Sequence, residues 1–337
     1  MLKVYGFPFL LAALISYIIT PCIRVLAFKV HAIDRPDNRK VHKKIMPRLG
    51  GLAIYIAFML GVIASMELTR DVIGIMIGGT IILVLGVMDD RYQLSAKIKL
   101  LGQIVAACVL IAFDIRIEWI NNPFGGYFYL NYLSVPFTIF WIVSFINVVN
   151  LIDGLDGLAA GVGAISSITV LLVAAQMGYY QIAIMTAALT GGIIGFIRYN
   201  FSPAVIFMGD TGSMFIGYIL GAISVFGAVK TTATIALIVP AIALGLPIID
   251  TAFAIVRRYN NGQPIFQPDK GHLHHRLLAM GMNQRQAVLL MYGITAALGV
   301  GAVLWAEVNN FYAALMIAVI ITAVAVIAKK IGVLGYK

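Results

Sequence analysis

Carboxylates and amides gather at three points in this chain, each with a spacing that suits metal or phosphate chemistry. Asp89 and Asp90 are adjacent, Asn147, Asn150, Asp153 and Asp156 recur at every third position, and Asp210, Thr211 and Ser213 follow Phe207-Met208-Gly209. Adjacent carboxylates repel, so the first pair either raises one pKa, making a general base, or requires a cation nearby. The third-residue recurrence draws a slowly drifting stripe if the helix continues, and Gly154 and Gly157 loosen the backbone at its end. An Asp at a helix amino terminus is placed to hold a hard cation against phosphate oxygens. Oxygen ligands alone favour Mg2+ or Mn2+ over zinc. Two basic loops complete the set, one around Lys43 and one at His272, His274, His275 and Arg276, where three of the five histidines sit beside an arginine suited to bidentate oxyanion contacts. Each group also has a plainer reading: a solvated helix end, a Gly-rich turn, an N-cap, a solvated loop. Zinc is the runner-up use of the histidines, with no Cys near them.

What must position these residues is a membrane. The chain has 337 residues, of which 61% are apolar and 11% charged, and a mean hydropathy of +0.97, which no soluble core with a polar surface accommodates. Ionisable groups at membrane depth are costly unless they function, so the polar stretches are expected to form one site. The fold class expected is all-α: a polytopic integral membrane protein of roughly ten to eleven transmembrane helices in a single domain, 1–337. Apolar runs begin near Val4, Gly50, Val72, Leu100, Val135, Leu158, Gln181, Gly212, Ala233, Gln286 and Asn310. The first run has neither a basic leader nor a small-residue cleavage site and is expected to be retained. Cys22 and Cys108 lie in apolar runs without ligand spacing and are expected to pack as small core hydrophobes, with no disulfide.

Basic residues set the orientation. Lys29, Arg35, Arg39, Lys40, Lys43, Lys44, Arg48, Arg91, Lys97, Lys99, Arg198, Arg257, Arg258, Lys270, Arg276, Arg285 and the carboxyl-terminal lysines fall on one side, against Lys3, Arg70, Arg116 and Lys230 on the other. That asymmetry predicts an external amino terminus, a cytoplasmic carboxyl terminus and all polar stretches opening on the cytoplasm. The net charge of +10 is explained by this topology and by anionic headgroups, so nucleic acid is not expected as a partner. The same charge supplies a positive field for a polyanionic cytosolic substrate. Asp250, alone within a span, is left as a partner for some basic residue.

Taken together, Asp89-Asp90 with Leu94 to Gln103, Asn147 to Ala159 (NVVNLIDGLDGLA), Phe207 to Ser213 (FMGDTGS) and His272 to Arg276 (HLHHR) resemble the signature stretches of the polyprenyl-phosphate N-acetylhexosamine-1-phosphate transferases. The match runs in order from His42 to Leu277. Met46 to Gly51 (MPRLGG) and the PDKGHLHHRL run make it more similar to the WecA/TagO branch than to the MraY branch of peptidoglycan synthesis. The resemblance implies transfer of GlcNAc-1-phosphate from UDP-GlcNAc to undecaprenyl phosphate at a bacterial plasma membrane, the first membrane step of teichoic acid, O-antigen or related glycans. It implies Mg2+, with Mn2+ as a substitute. By position, Asp210 resembles the metal ligand on the donor pyrophosphate and Asn150 the second protein ligand. Asp156, Phe207 and Lys43 match nucleoside contacts, with Asn147 counted among the substrate-binding residues. Lys99, with Lys97 a weaker candidate, matches a basic position near the phosphates. His272, His274, His275 and Arg276 fall in the loop that reads the amino sugar. Asp89, supported by Asp90, orients or deprotonates the lipid phosphate, and Asp153 is either catalytic or a support to the metal. Other donors, including the MraY-like phospho-MurNAc-pentapeptide, remain the alternative within this chemistry, and an ion-coupled transporter the alternative outside it. The oligomeric state is open, a homodimer included.

Overall fold

A computed structural model describes residues 2–36, 45–121, 127–230, 233–260, 262 and 271–307, with 315, 318, 319, 322 and 326 in addition. Those residues form twelve α-helices and two short two-stranded ribbons, an all-α architecture. The helices alternate up and down: α1 (Leu2–Lys29), α2 (Gly50–Ile63), α3 (Arg70–Tyr92), α4 (Ala96–Ala112), α5 (Ser134–Ile152), α6 (Leu158–Gln176), α7 (Tyr180–Asn200) and α8 (Gly209–Lys230). Then come α9 (Ala233–Ala243), α10 (Gly245–Asn260), α11 (Leu273–Ala279) and α12 (Gln284–Glu307).

Among the described residues, seven helices are long and apolar enough to cross a bilayer, and eight if the bent pair α9 and α10 counts as one span. Length and composition of the described helices thus establish seven to eight of the expected ten to eleven. The runs at Gly50 and Leu100 became helices of 14 and 17 residues, about 21 and 26 Å long at 1.5 Å per residue, short of a hydrocarbon core of about 30 Å. The run at Ala233 belongs to the bent pair, whose axes diverge by 74°. The break at Leu244 lies between Pro240 and Pro247, each of which removes a helical N–H donor, so the ladder is interrupted there. The run at Asn310 lies largely outside the described residues.

Helix α8 is the centre of the molecule, buried along almost its whole length against α2, α3, α5 and α9. Lipid tails are as apolar as leucine, so helices here associate by close packing rather than by escape from water. Gly51 and Gly212 meet backbone to backbone, and a methyl group on Gly51 would overlap the Gly212 main chain. By contrast α1 turns Leu10, Leu14, Ile18 and Val25 outward as an apolar rim while packing on α7 and α2. Cys22 and Cys108 are exposed on such outward faces, not packed in the core as expected, and both are free thiols. Their runs are apolar because lipid is, which sequence hydropathy does not distinguish from a protein interior.

The two ribbons are local devices. β1 (Ile33–Asp34) pairs antiparallel with β2 (Met46–Pro47), and the chain then bridges Arg48 to Phe207. Four further bonds close this seam: Phe207 N–H to Pro47 O at 2.9 Å, Arg48 N–H to Ala32 O at 2.9 Å, Gly50 N–H to Phe207 O at 3.0 Å and Gly51 N–H to Met208 O at 2.9 Å. The seam fixes the start of α2 to the start of α8. β3 (Trp119–Asn121) and β4 (Tyr127–Tyr129) form a hairpin at the opposite end of the bundle.

Candidate active site

Three helix ends meet where the acids lie: the last turn of α3, the last turn of α5 and the first turn of α8. The Gly209 backbone has φ of 71°, a conformation open to glycine, and it brings the first N–H groups of α8 onto Asp90. Asp90 Oδ1 accepts from Asp210 N–H at 3.0 Å, and Oδ2 accepts from Thr211 N–H at 3.0 Å and Thr211 Oγ1 at 2.6 Å. A carboxylate at a helix amino terminus both caps open donors and complements the dipole. Asp210, expected to sit at that terminus, is therefore capped by Asp90 rather than acting as a cap.

From Asp90 a ladder of alternating charge runs across the site. Arg48 Nε lies 3.2 Å from Asp90 Oδ1, and Arg48 Nη2 lies 3.4 Å from Asp210 Oδ1. Lys99 Nζ lies 2.9 Å from Asp210 Oδ2 and 3.3 Å from Asp89 Oδ2. Asn150 Nδ2 donates to Asp210 Oδ2 at 2.9 Å, and Leu94 N–H donates to Asp89 Oδ1 at 2.8 Å. Burial opposes the charge of Arg48, yet Asp90, Asp210, Asp34 and Asp153 outweigh it and hold the guanidinium above its ordinary pKa. Asp153, the residue just past the end of α5, is half-buried; burial first, then Asp210, push its carboxyl up to about 8 against the pull of Arg48.

Asp90 side-chain atoms are fully covered, whereas Asp210 and Lys99 keep 12% and 27% exposure. Arg48, at 24%, Lys99 and Asp210 are thus the members of the ladder open to a ligand. Among the described residues no group of three His, Cys, Asp or Glu side chains is arranged to hold a metal by itself. The donor chemistry nevertheless fits Mg2+, which keeps several waters and binds through one or two carboxylates plus substrate phosphates. Asp210 would supply the carboxylate, and Asn150, whose Nδ2 here donates to Asp210, would present its amide oxygen once the amide is turned over.

The other expected residues divide. Asn147 Nδ2 is spent on Gln103 Oε1 at 2.7 Å and on Val143 O at 2.8 Å, so it braces α5 against α4. Because α5 ends at Ile152, Asp156 leaves the stripe anticipated for it; its Oδ2 accepts from Ala204 N–H at 3.0 Å, tying the turn before α6 to the loop before α8. Phe207 lies half-buried in the seam with Arg48. Asp250 has found its basic partner: Oδ2 lies 2.9 Å from His272 Nδ1 while Oδ1 accepts Leu273 N–H at 2.9 Å, which anchors α11 to α10. His274 stacks between His272 and His275, at ring-centre distances of 5.8 and 4.2 Å. It sits under Gly154, where an added methyl group would come within 2.5 Å of Nε2. Burial, then His275, pulls its pKa down to about 3. Arg276 Nε donates to Gly271 O at 3.3 Å. Lys43 lies outside the described residues, as does the Gln263 to Lys270 stretch of the histidine loop.

Sequence reasoning gave Arg48 no role in the site, yet it joins two of the acids. Its signal was a single guanidinium inside Met46-Pro47-Arg48-Leu49-Gly50-Gly51, an otherwise apolar run ending in the glycines that start α2.

Comparison with known proteins gives the family. The model of glycosyl transferase family 4 matches residues 72–228, the stretch that carries Asp89, Asp90, Lys99, Asn150, Asp153 and Asp210. A probable undecaprenyl-phosphate N-acetylglucosaminyl 1-phosphate transferase of Bacillus subtilis is 42% identical over 331 residues, covering 98% of this chain and 92% of the relative. The chain belongs to glycosyl transferase family 4. Family members further away include a decaprenyl-phosphate N-acetylglucosaminephosphotransferase of Mycolicibacterium smegmatis, 35% identical over 87% of this chain and 80% of the relative. Another is an undecaprenyl-phosphate alpha-N-acetylglucosaminyl 1-phosphate transferase of Salmonella typhi, 28% identical over 86% and 80%. As a family 4 member the protein is a multi-pass membrane enzyme of the glycosyl-1-phosphate transferase kind.

Proposed function

We propose that this protein transfers N-acetylglucosamine 1-phosphate from UDP-GlcNAc to undecaprenyl phosphate, releasing UMP and leaving undecaprenyl-pyrophosphoryl-GlcNAc in the membrane. The observation that carries the reading is the ladder Asp90, Arg48, Asp210, Lys99, Asp89, which places two fixed cations among three carboxylates at the ends of apolar helices. Relatives named for the same transfer support it.

Both substrates are phosphate anions, so their mutual repulsion is the main barrier and charge neutralisation with alignment is the main task. Asp210 and Asn150 would hold Mg2+, which when bound neutralises the donor pyrophosphate and polarises its oxygens. Lys99, bonded to both Asp210 and Asp89, carries its charge between the donor and the lipid phosphate. Asp89 orients the lipid phosphate; a phosphate monoester is already largely ionised at neutral pH, so position matters more than proton removal. One lipid phosphate oxygen then attacks the β-phosphorus in line, a new P–O bond forms, and the bond to UMP breaks. Asp90 is a positioning residue that aims the first turn of α8 and holds Arg48. Asp153, whose carboxyl is raised by burial and by Asp210, lies in the field of Arg48 and Asp210 and supports them. His272, His274, His275 and Arg276 form the wall for the amino sugar, set by Asp250, while Asp156, Phe207 and Lys43 serve the nucleoside end. The site opens on the cytoplasm, the amino terminus lies outside, and the product feeds synthesis of an envelope glycan such as teichoic acid or O-antigen.

The test supplies purified protein with radiolabelled UDP-GlcNAc, undecaprenyl phosphate and Mg2+. Labelled lipid should form, and EDTA should abolish it. Absence of product with this donor, but formation with UDP-MurNAc-pentapeptide, would move the enzyme to the other branch. Trapping of a phospho-aspartyl protein from UDP-GlcNAc without lipid would replace direct attack by a two-step transfer.

A further inference from the structure

A cavity of about 860 Å3 shares no residue with the charge ladder. It lies between the ends of α1 and α7, the loop that follows α7, and the start of α12. Three arginines line it: Arg24 near the end of α1, Arg198 in the last turn of α7 and Arg285 in the first turn of α12. Tyr17, Tyr199 and Tyr292 line it too, the first two with ring centres 5.4 Å apart. No described carboxylate pairs with any of the three guanidinium groups; Arg285 Nε donates to Ser202 O at 2.9 Å. The nearby acid, Asp156, is turned to Ala204 N–H. Outside the cavity, α1 shows lipid the exposed side chains Leu14, Ile18 and Val25. A cavity lined by three cations and three tyrosines, at helix ends and beside an apolar flank, has the make-up of a headgroup site: phosphodiester on arginine, glycerol near tyrosine, acyl chains along the helix.

We propose that this cavity binds the headgroup of an anionic glycerophospholipid, a bound lipid separate from the lipid substrate. Its floor includes Phe201 to Pro203, Val205 and Ile206, the residues that lead into Phe207 and Asp210. Asn200 Oδ1 accepts Gly157 N–H at 3.1 Å, and its Nδ2 donates to Ile206 O at 3.0 Å. A bound headgroup therefore steadies the loop on which the start of α8 depends.

The experiment uses the full-length protein in detergent, with bound lipid counted by native mass spectrometry and stability followed by melting temperature. Phosphatidylglycerol should be retained and should raise the melting temperature, while phosphatidylcholine and inorganic phosphate should do neither. Replacing all three, Arg24→Gln, Arg198→Gln and Arg285→Gln, should weaken phosphatidylglycerol retention about a hundredfold. The double variant Arg24→Gln, Arg198→Gln keeps the Arg285 bond to Ser202 and should weaken it about thirtyfold. Equal retention by wild type and both variants overturns the proposal. So does equal stabilisation by phosphatidylcholine, or by inorganic phosphate, which would make the cavity a soluble-anion site. Displacement of phosphatidylglycerol by undecaprenyl phosphate at matched concentration also overturns it, by assigning the cavity to the reaction.

Discussion

Asp210 takes part in four contacts at once, with Arg48, Lys99 and Asn150 through its side chain and with Asp90 through its N–H. Asp210→Asn keeps the shape and removes the charge that both cations answer. Lipid product formation should fall about 10^2- to 10^3-fold, the range for losing one preorganised electrostatic contact, and the rise in melting temperature on adding Mg2+ should vanish in the same variant. Asp153 leads to a pH dependence. An unfolded Asp loses its proton near 3.9, whereas the folded carboxyl holds it to about 8. Between those values the folded state binds more protons at this group, so the stability Asp153 contributes is greatest below about 4, falls as pH rises and is lost above about 8. In EDTA the melting-temperature difference between wild type and Asp153→Asn should show that decline as pH rises from about 4 to about 8. His274 has the opposite sign: depressed to about 3 by burial, it stays neutral while the unfolded residue protonates near 6.5, so it costs stability as pH drops from about 6.5 towards 3. Replacement by Gln should reduce the acid sensitivity of the melting curve in that window.

At the scale of elements, the site depends on how closely α2, α3 and α8 approach. Asp89 and Asp90 end α3, Arg48 precedes α2, and Asp210 opens α8; a shift of any helix along its axis separates the ladder. Gly51→Ala should cost about 1–3 kcal/mol through overpacking against Gly212, lowering the melting temperature together with activity. Gly6→Ala, where an added methyl meets nothing within 4 Å, should leave both unchanged. If Gly51→Ala matches Gly6→Ala in both measurements, close packing of α2 on α8 is not what aligns the ladder. The same closeness explains why some apolar runs form helices shorter than a single full span. The run at Gly50 is apolar because α2 packs on α8, α1 and α7, and the run at Leu100 because α4 packs on α3 and α5 and faces lipid, yet both helices are short, and a proline-bounded break divides the run at Ala233.

At the scale of the whole molecule, alternation of the helices puts the start of α2, the end of α3, the start of α4, the end of α5 and the start of α8 on one face. The hairpin β3–β4 and Tyr132, which is 98% exposed, occupy the other. In a background lacking Cys22 and Cys108, Tyr132→Cys should react with a membrane-impermeant maleimide on intact cells, and Tyr92→Cys only in inverted vesicles. The reverse pattern would invert the proposed orientation.

Composition and the short polar runs were enough to determine a helical membrane protein, the kind of chemistry and nearly all of the acids that the fold brings together, because an ionisable group in an apolar chain is too costly to be incidental. The spacing of Asn147, Asn150 and Asp153 along α5 was legible for the same reason. Pairing was not. That Asp90 caps α8, that Asn147 turns to Gln103, that Asp250 holds His272 and that Arg48 completes the ladder are contacts between residues 22 to 162 positions apart. Such contacts arise from how helices dock, and docking is set by the shapes of two surfaces together. No periodicity within one segment records it, so the tertiary structure alone decided which charges meet and which acid remains open to a ligand.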